Sequence, residues 1–325
     1  MTNFQVYKKT LPFSLLQFLI GLLEIAALAG LCTIGFFIGN NSSSKNALIG
    51  LGIGFGVGLL FIILFNVFIN NRIKAGQIGM MTKGVIENKL PDDHIIHAGL
   101  QEVKGRFAKL TAFFFVTGAI KGIFREICRV INRLGTAVGG DAGNAVTSAI
   151  DTFVQILLEY LCDCCLGWVM YRKDQGVTKS ACEGAVIFFK HGKTLIRNIG
   201  RIFGMGFLSL LVIGGLFFGG SYLIFNQFPG MFQTLSNTIV DVITKEGGTV
   251  PEFVTNISLF IIVVSALLAI ALWGVVHTVL IRPFILVGVL RNFTAAGLKH
   301  IPTDAEMNDL ANKSPKFAKL QAKNI

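Results

Sequence analysis

Two sets of polar side chains recur at four-residue spacing on either side of a glycine-rich loop at residues 135–143. The first set is basic: Lys121, Arg125, Arg129 and Arg133. The second set is mainly acidic: Asp151, Gln155, Glu159 and Asp163. If both segments are helices, each set lies on one slowly drifting face. An antiparallel hairpin with a single register then aligns three pairs, Arg129 with Asp151, Arg125 with Gln155, and Lys121 with Glu159. The spacing therefore predicts a paired ladder.

A candidate binding site follows from the depth of three ionisable residues. Glu24 is the only charged residue inside the first long apolar segment and lies about halfway along it. Lys121 and Glu159 reach a similar depth if their segments cross a membrane. A lone charge at the bilayer centre costs about 2.5–3.5 kcal/mol, so each needs a partner or water. The functional interpretation is a cation pathway with Glu24 and Glu159 as acceptors and Lys121 as a counter-ion. The structural interpretation is pairing that specifies how the helices pack.

The elements that must position these residues are membrane helices. The chain has 325 residues, of which 53% are hydrophobic and 14% charged, whereas soluble domains contain about a quarter charged residues. We predict an all-α polytopic membrane protein with amphipathic cytoplasmic helices. Residues 1–300 form one membrane domain, and 301–325 form a polar, loosely ordered cytoplasmic tail. The six predicted spans, each long enough for a hydrocarbon core of about 30 Å, are 12–38, 47–69, 107–133, 144–171, 202–225 and 255–281.

The distribution of basic residues sets the topology. Segments 70–109, 172–201 and 282–325 each contain seven lysines and arginines, and the alternate connections contain almost none. The positive-inside rule therefore places these segments and both termini in the cytoplasm. A four-span arrangement, with 107–171 as two helices on the inner membrane surface, satisfies the rule equally well. An acidic face would be repelled by anionic lipid, which favours the membrane-crossing hairpin.

Glycines and cysteines are interpreted as packing residues. Gly50, Gly54 and Gly58 in the second span have the spacing of small residues at helix contacts, and Gly214, Gly215, Gly219 and Gly220 in the fifth span have the same interpretation. Cys162, Cys164, Cys165 and Cys182 do not match a zinc-binding pattern, and palmitoylation is the functional alternative to packing. The cluster Asp92, Asp93, His94 and His97 is interpreted as solvated helix-start chemistry. No metal site or cofactor is predicted.

The chain from Val146 onward resembles the C-terminal membrane region of choline transporter-like proteins. The matching stretches are Ile156–Leu161, Ser180–Ala181 with Ile196–Arg197, Phe207–Gly215, and a final span that leads into Arg291–Asn292. The resemblance implies choline or a related cation as substrate. The chain departs from the family in lacking its large extracellular domain and about half of its spans.

The leading expectation is a small-solute transporter or permease-like protein with a polar site between helices. The alternative is a non-transporting membrane scaffold or assembly subunit whose charged hairpin is structural. No acid–base constellation indicates an enzyme. The net charge of +11 is explained by the membrane rather than by nucleic acid. The expected partners are the lipid bilayer, anionic lipids at the basic cytoplasmic face, a small solute and further copies of the chain. The expected location is the plasma membrane.

Overall fold

The computed structural model describes residues 1–41, 44–106, 118–123, 126, 143–196, 199–245 and 247–322. Every regular element in these ranges is a helix, as predicted. The α-helices are α1 Asn3–Asn40, α2 Ser44–Phe65, α3 Asn71–Ile86, α4 Ile95–Arg106, α5 Gly143–Tyr171, α6 Val177–Ile196, α7 Ile199–Ser209, α8 Gly215–Phe225, α9 Pro229–Lys245, α10 Glu252–Thr255, α11 Ile257–Val276, α12 Arg282–Lys299, α13 Asp304–Lys313 and α14 Pro315–Gln321. Three π-helical turns, Asn66–Asn70, Leu210–Gly214 and His277–Ile281, interrupt this series.

Four helical segments of the described chain are long and apolar enough to cross a membrane: Asn3–Asn40, Asn46–Ile86, Ile202–Phe225 and Ile257–Lys299. They contain the first, second, fifth and sixth predicted spans, apart from two residues at the start of the sixth. The third predicted span, 107–133, lies largely outside the described residues. The fourth, 144–171, is helical as α5 but is not among these four segments.

The chain divides into two compact units. The apolar unit comprises Ser14–Asn71 and Gly204–Arg282, and the charged unit comprises Met1–Phe13, Arg72–Phe203 and Pro283–Ile325. Of the 29 lysines and arginines in the chain, 26 belong to the charged unit. In the apolar unit many large hydrophobic side chains are exposed, Ile53 and Leu267 among them at 63% and 64%. Such a surface is suited to lipid rather than water.

Glycines bring α1 and α2 of the apolar unit into backbone contact. A Cβ added at Gly50 would lie 2.9 Å from the Gly35 carbonyl carbon, and one at Gly54 would lie 2.8 Å from that of Leu31. A Cβ at Gly52 would meet nothing within 4 Å. Small residues four apart therefore face the partner helix, which confirms the packing predicted for Gly50, Gly54 and Gly58.

The same prediction is wrong for the glycines of α8. A Cβ at Gly215, Gly219 or Gly220 would have no neighbour within 4 Å among the described residues, whereas one at Gly214 would meet Leu210 and Trp273. The glycine spacing in this helix is thus not used for close packing against any part of the chain that the structure describes.

Helix α5 is the central element of the charged unit. Residues 158 and 160–170 are all buried, and Trp168 is fully enclosed. Gly184 of α6 lies against Cys165, and a Cβ at Gly297 of α12 would come within 2.8 Å of Trp168. The core is therefore built by α5 packing against α6 and α12, with small residues at the contacts.

The predicted loose order of the tail is wrong for residues 304–321. A capping box formed by Thr303 and Glu306 starts α13, and Ser314 followed by a proline at the first helical position starts α14. Both signals are standard helix starts. The apolar side chains buried by these two helices are Met307, Leu310, Phe317 and Leu320.

Candidate functional site

The main polar site of the apolar unit is a hydrogen-bonded chain of three side chains. Glu24 on α1 is half-buried, and its Oε1 accepts a hydrogen bond of 2.8 Å from Asn66 Nδ2. Asn66 Oδ1 in turn accepts one of 2.7 Å from Asn70 Nδ2. The carboxylate is therefore held by amides of the neighbouring helical segment, as an ionisable group in a membrane span requires.

A π-helical turn at Asn66–Asn70 places both amides on one face. Such turns insert an extra residue per turn, leave backbone groups less regularly paired, and occur frequently at functional sites. Asn66 Nδ2 also donates to Ile62 O at 3.0 Å, which anchors it to its own helix. Asn70 Oδ1 is buried and accepts no hydrogen bond from the described residues.

The site thus brings together three side-chain oxygen groups, of which Asn70 Oδ1 accepts no hydrogen bond from the described residues. The carboxylate of Glu24 and the amide oxygens of Asn66 and Asn70 are hard ligands, which prefer alkali and alkaline-earth cations or ammonium groups. No described basic side chain is paired with Glu24. This arrangement fits a positively charged ligand better than an anion.

The other members of the predicted three-residue site belong to the charged unit. Lys121 and Glu159 are both exposed there, and Glu24 belongs to the apolar unit. Their convergence on one site stays a prediction.

The ladder is only partly within the described residues. Arg125 and Arg129 lie outside them, Asp151 lies on α5, and Gln155 is exposed on the same helix. Of the acidic set, Asp163 lies in an ion pair. Its buried carboxylate lies 3.0 Å from Lys74 Nζ on α3.

A second polar cluster in the apolar unit was missed by the sequence interpretation. Trp273 Nε1 donates to Ser209 Oγ at 3.1 Å, and the indole ring lies 5.2 Å from the ring of His277. Ser209 immediately precedes one π-helical turn and His277 begins another. No signal in the residue types predicted the turns, because apolar helical periodicity continues through them.

In the charged unit, the guanidinium of Arg106 caps the C-terminal end of α5. Arg106 donates to the carbonyl oxygens of Val169 at 2.8 Å, Arg172 at 2.7 Å and Gln175 at 2.8 Å, and to Ser180 Oγ at 2.9 Å. Carbonyls at a helix C-terminus have no partner within the helix. Arg106 supplies that partner and ties α4 to the α5–α6 turn.

Beside this turn lies a buried acidic residue. Glu183 accepts a hydrogen bond of 2.9 Å from Trp168 Nε1 and lies 3.4 Å from Arg172 Nη1. Arg172 also pairs with Asp174, and this contact raises the pKa of the guanidinium and lowers that of the carboxyl. These charges form ion pairs with one another, which indicates a structural role.

The cysteines of the charged unit are buried, as the packing interpretation expects. Cys164 and Cys165 have no exposed surface, and Cys182 retains 1%. Burial raises the pKa of the Cys162 and Cys182 thiols to about 12. A thiol in this state is neither reactive nor accessible to an acylating enzyme.

The acidic cluster at the start of α4 is an ion-pair site. Lys9 Nζ lies 2.5 Å from Asp92 Oδ1, and this contact lowers the pKa of the Asp92 carboxyl. No group of three or more metal-ligating side chains is present in the described part of the chain.

Comparison of the chain with protein-family models, with curated proteins and with solved structures found no match.

Proposed function

We propose that this chain is a non-enzymatic integral membrane protein that crosses the bilayer four times, with the charged unit and both termini in the cytoplasm. The four apolar helical segments supply the spans. The concentration of 26 of 29 lysines and arginines in the charged unit supports its orientation, because basic segments are retained on the cytoplasmic side. The plasma membrane is the proposed location.

Four spans are favoured over six by contacts at the third predicted span. Ile120 and Ile123 are buried within the charged unit. Glu126 accepts a hydrogen bond of 2.6 Å from Ser314 Oγ, at the start of the C-terminal helix α14. Because this segment contacts the polar C-terminal region, we place it in the cytoplasm rather than in lipid.

The two arrangements differ in the surroundings of Gln155. In the four-span arrangement this exposed side chain of α5 faces the cytoplasm, so Gln155→Cys should react with a membrane-impermeant maleimide added to inside-out vesicles. In the six-span arrangement the same position lies at mid-membrane and is shielded. Ile53→Cys, on a lipid-exposed face of α2, serves as the unreactive control. Protection of both positions would contradict the four-span arrangement.

Within this topology, the proposed function is the binding and movement of a small cation through the apolar unit. The observation that carries it is the Glu24–Asn66–Asn70 chain at a π-helical turn. Intramembrane acids commonly mark ion and substrate pathways. The resemblance to choline transporter-like proteins adds choline to the cations worth testing.

The test is cation flux in liposomes containing the purified full-length protein, with sodium, potassium and choline as separate probes. Glu24→Gln should lower flux by at least about tenfold, because the loss of one charge-assisted contact is worth roughly 1.5–3 kcal/mol. Asp241→Asn removes a carboxylate that pairs with the exposed Lys245 on the same helix, α9, and should leave flux unchanged. Equal flux in wild type and Glu24→Gln would contradict the proposal.

The alternative function, a membrane scaffold or assembly subunit, is favoured by the internal pairing of the charged unit. The Asp163–Lys74 pair joins α5 to α3, and the Glu183–Arg172 pair joins α6 to the turn after α5. A scaffold predicts no flux of any probe in wild type, together with a measurable loss of stability in Glu24→Gln.

A further inference from the structure

The charged unit carries an excess of free positive charge on its surface. Among its described residues, eight exposed basic side chains have no carboxylate partner: Lys8, Arg72, Lys89, Lys104, Lys121, Lys299, Lys316 and Lys319. Among the same residues, only two exposed carboxylates, Glu87 and Asp93, have no basic partner. The remaining described charges are largely neutralised within the unit, as by the Lys83–Glu102 and Lys190–Glu306 pairs. The imbalance therefore requires an anionic partner or solvent.

The positions of basic residues along the chain indicate which kind of anion would bind. The chain passes between the two units four times, after Phe13, Asn71, Phe203 and Arg282. A lysine or arginine lies within five residues of each passage: Lys8 and Lys9, Arg72 and Lys74, Arg201, and Arg282. In a membrane protein these are the positions at which a helix leaves the hydrocarbon core. The anions available there are lipid headgroups.

We propose that the charged unit binds anionic phospholipids of the cytoplasmic leaflet, with Arg72 and Lys8 among the contacting side chains. Arg72 is exposed, has no acidic partner among the described residues, and follows the passage at Asn71 directly. Each lysine or arginine near an anionic membrane surface contributes about 1 kcal/mol of attraction, which corresponds to roughly a fivefold change in affinity. The inference rests on the four-span topology of the proposed function but not on cation transport.

The test uses the full-length protein in a neutral detergent at low salt. Dihexanoyl phosphatidylglycerol, kept below its critical micelle concentration, is titrated while its binding is followed by microscale thermophoresis. Dihexanoyl phosphatidylcholine is the neutral comparison. We expect saturable binding of phosphatidylglycerol only, weakened by 1 M salt through screening. The double variant Lys8→Gln with Arg72→Gln should bind about 25-fold more weakly.

A matched variant separates a localised site from general charge attraction. Lys299→Gln with Lys319→Gln removes the same charge from exposed side chains far along the chain from any passage, and its affinity should stay within about twofold of wild type. Equal loss in both double variants would overturn the assignment to Lys8 and Arg72. Equal binding of both lipids would overturn lipid recognition, and so would tighter binding of a single-stranded RNA probe. Because flux is measured separately, loss of cation transport alone would not affect this result.

Discussion

Gly54→Leu is expected to unfold the contact between α1 and α2. A Cβ at Gly54 would overlap the backbone carbonyl of Leu31. The position of a Cβ is set by its own backbone, so neither group can rotate away from the other. Overpacking of a close contact costs about 1–3 kcal/mol, and more where the neighbour is rigid. Thermal unfolding in detergent, followed by the loss of helical circular dichroism, should show a melting temperature lower by roughly 2–4 °C per kcal/mol.

The matched control is Gly52→Leu on the same helix. Its side chain would point where no described atom lies within 4 Å, and leucine favours helix more than glycine does. The melting temperature should therefore be unchanged or slightly raised. If Gly52→Leu and Gly54→Leu lower it equally, the effect belongs to glycine loss in general and the proposed helix contact is incorrect.

Arg106→Gln is expected to destabilise the charged unit by about 2–3 kcal/mol, because carbonyl acceptors at the end of α5 lose charge-assisted donors. The four hydrogen bonds require the planar fork of a guanidinium. Arg106→Lys keeps the charge but cannot reach four acceptors, so it should recover little of the loss. The measurement is denaturant unfolding followed by the fluorescence of the buried Trp168.

Lys104→Gln gives the comparison for this prediction. Lys104 lies two residues earlier on α4, is exposed and has no acidic partner in the described parts of the chain. Its removal should change the free energy of unfolding by less than about 0.5 kcal/mol. Full stability in Arg106→Lys would show that charge alone, rather than hydrogen-bond geometry, stabilises the α5–α6 turn.

The sequence predicted what depends on local periodicity and composition. The six predicted spans include the four segments that are long and apolar enough to cross a membrane, and the spacing of Gly50, Gly54 and Gly58 identified the face of α2 that contacts α1. The same spacing in α8 predicted a contact that is not made with any described residue. Spacing specifies which residues share a face, but the element that covers the face depends on the whole fold.

The candidate site was predictable only in part. Glu24 stood out because it is the single charge in its span, whereas Asn66 and Asn70 were not identified as its partners. Uncharged amides in an apolar segment are only weak indicators of a polar site. The π-helical turn that aligns them has no recognisable pattern in the sequence. Asp163 was assigned to the hairpin ladder, but its partner Lys74 lies 89 residues earlier on α3. Pairing at that separation cannot be derived from helical spacing.

The charged unit consists of three separate stretches of chain, and its first and last stretches are joined directly. Arg291 donates hydrogen bonds to Asn3 Oδ1 at 2.6 Å and to Met1 O at 2.7 Å, across 288 and 290 residues. At a synthesis rate of about 5–20 residues per second, Arg291 is added roughly 15–60 s after Met1. Met1 and Asn3 can therefore form these contacts only after both stretches of the apolar unit, Ser14–Asn71 and Gly204–Arg282, have been synthesised. The charged unit is thus completed after the apolar unit, although it contains the first residues to be made.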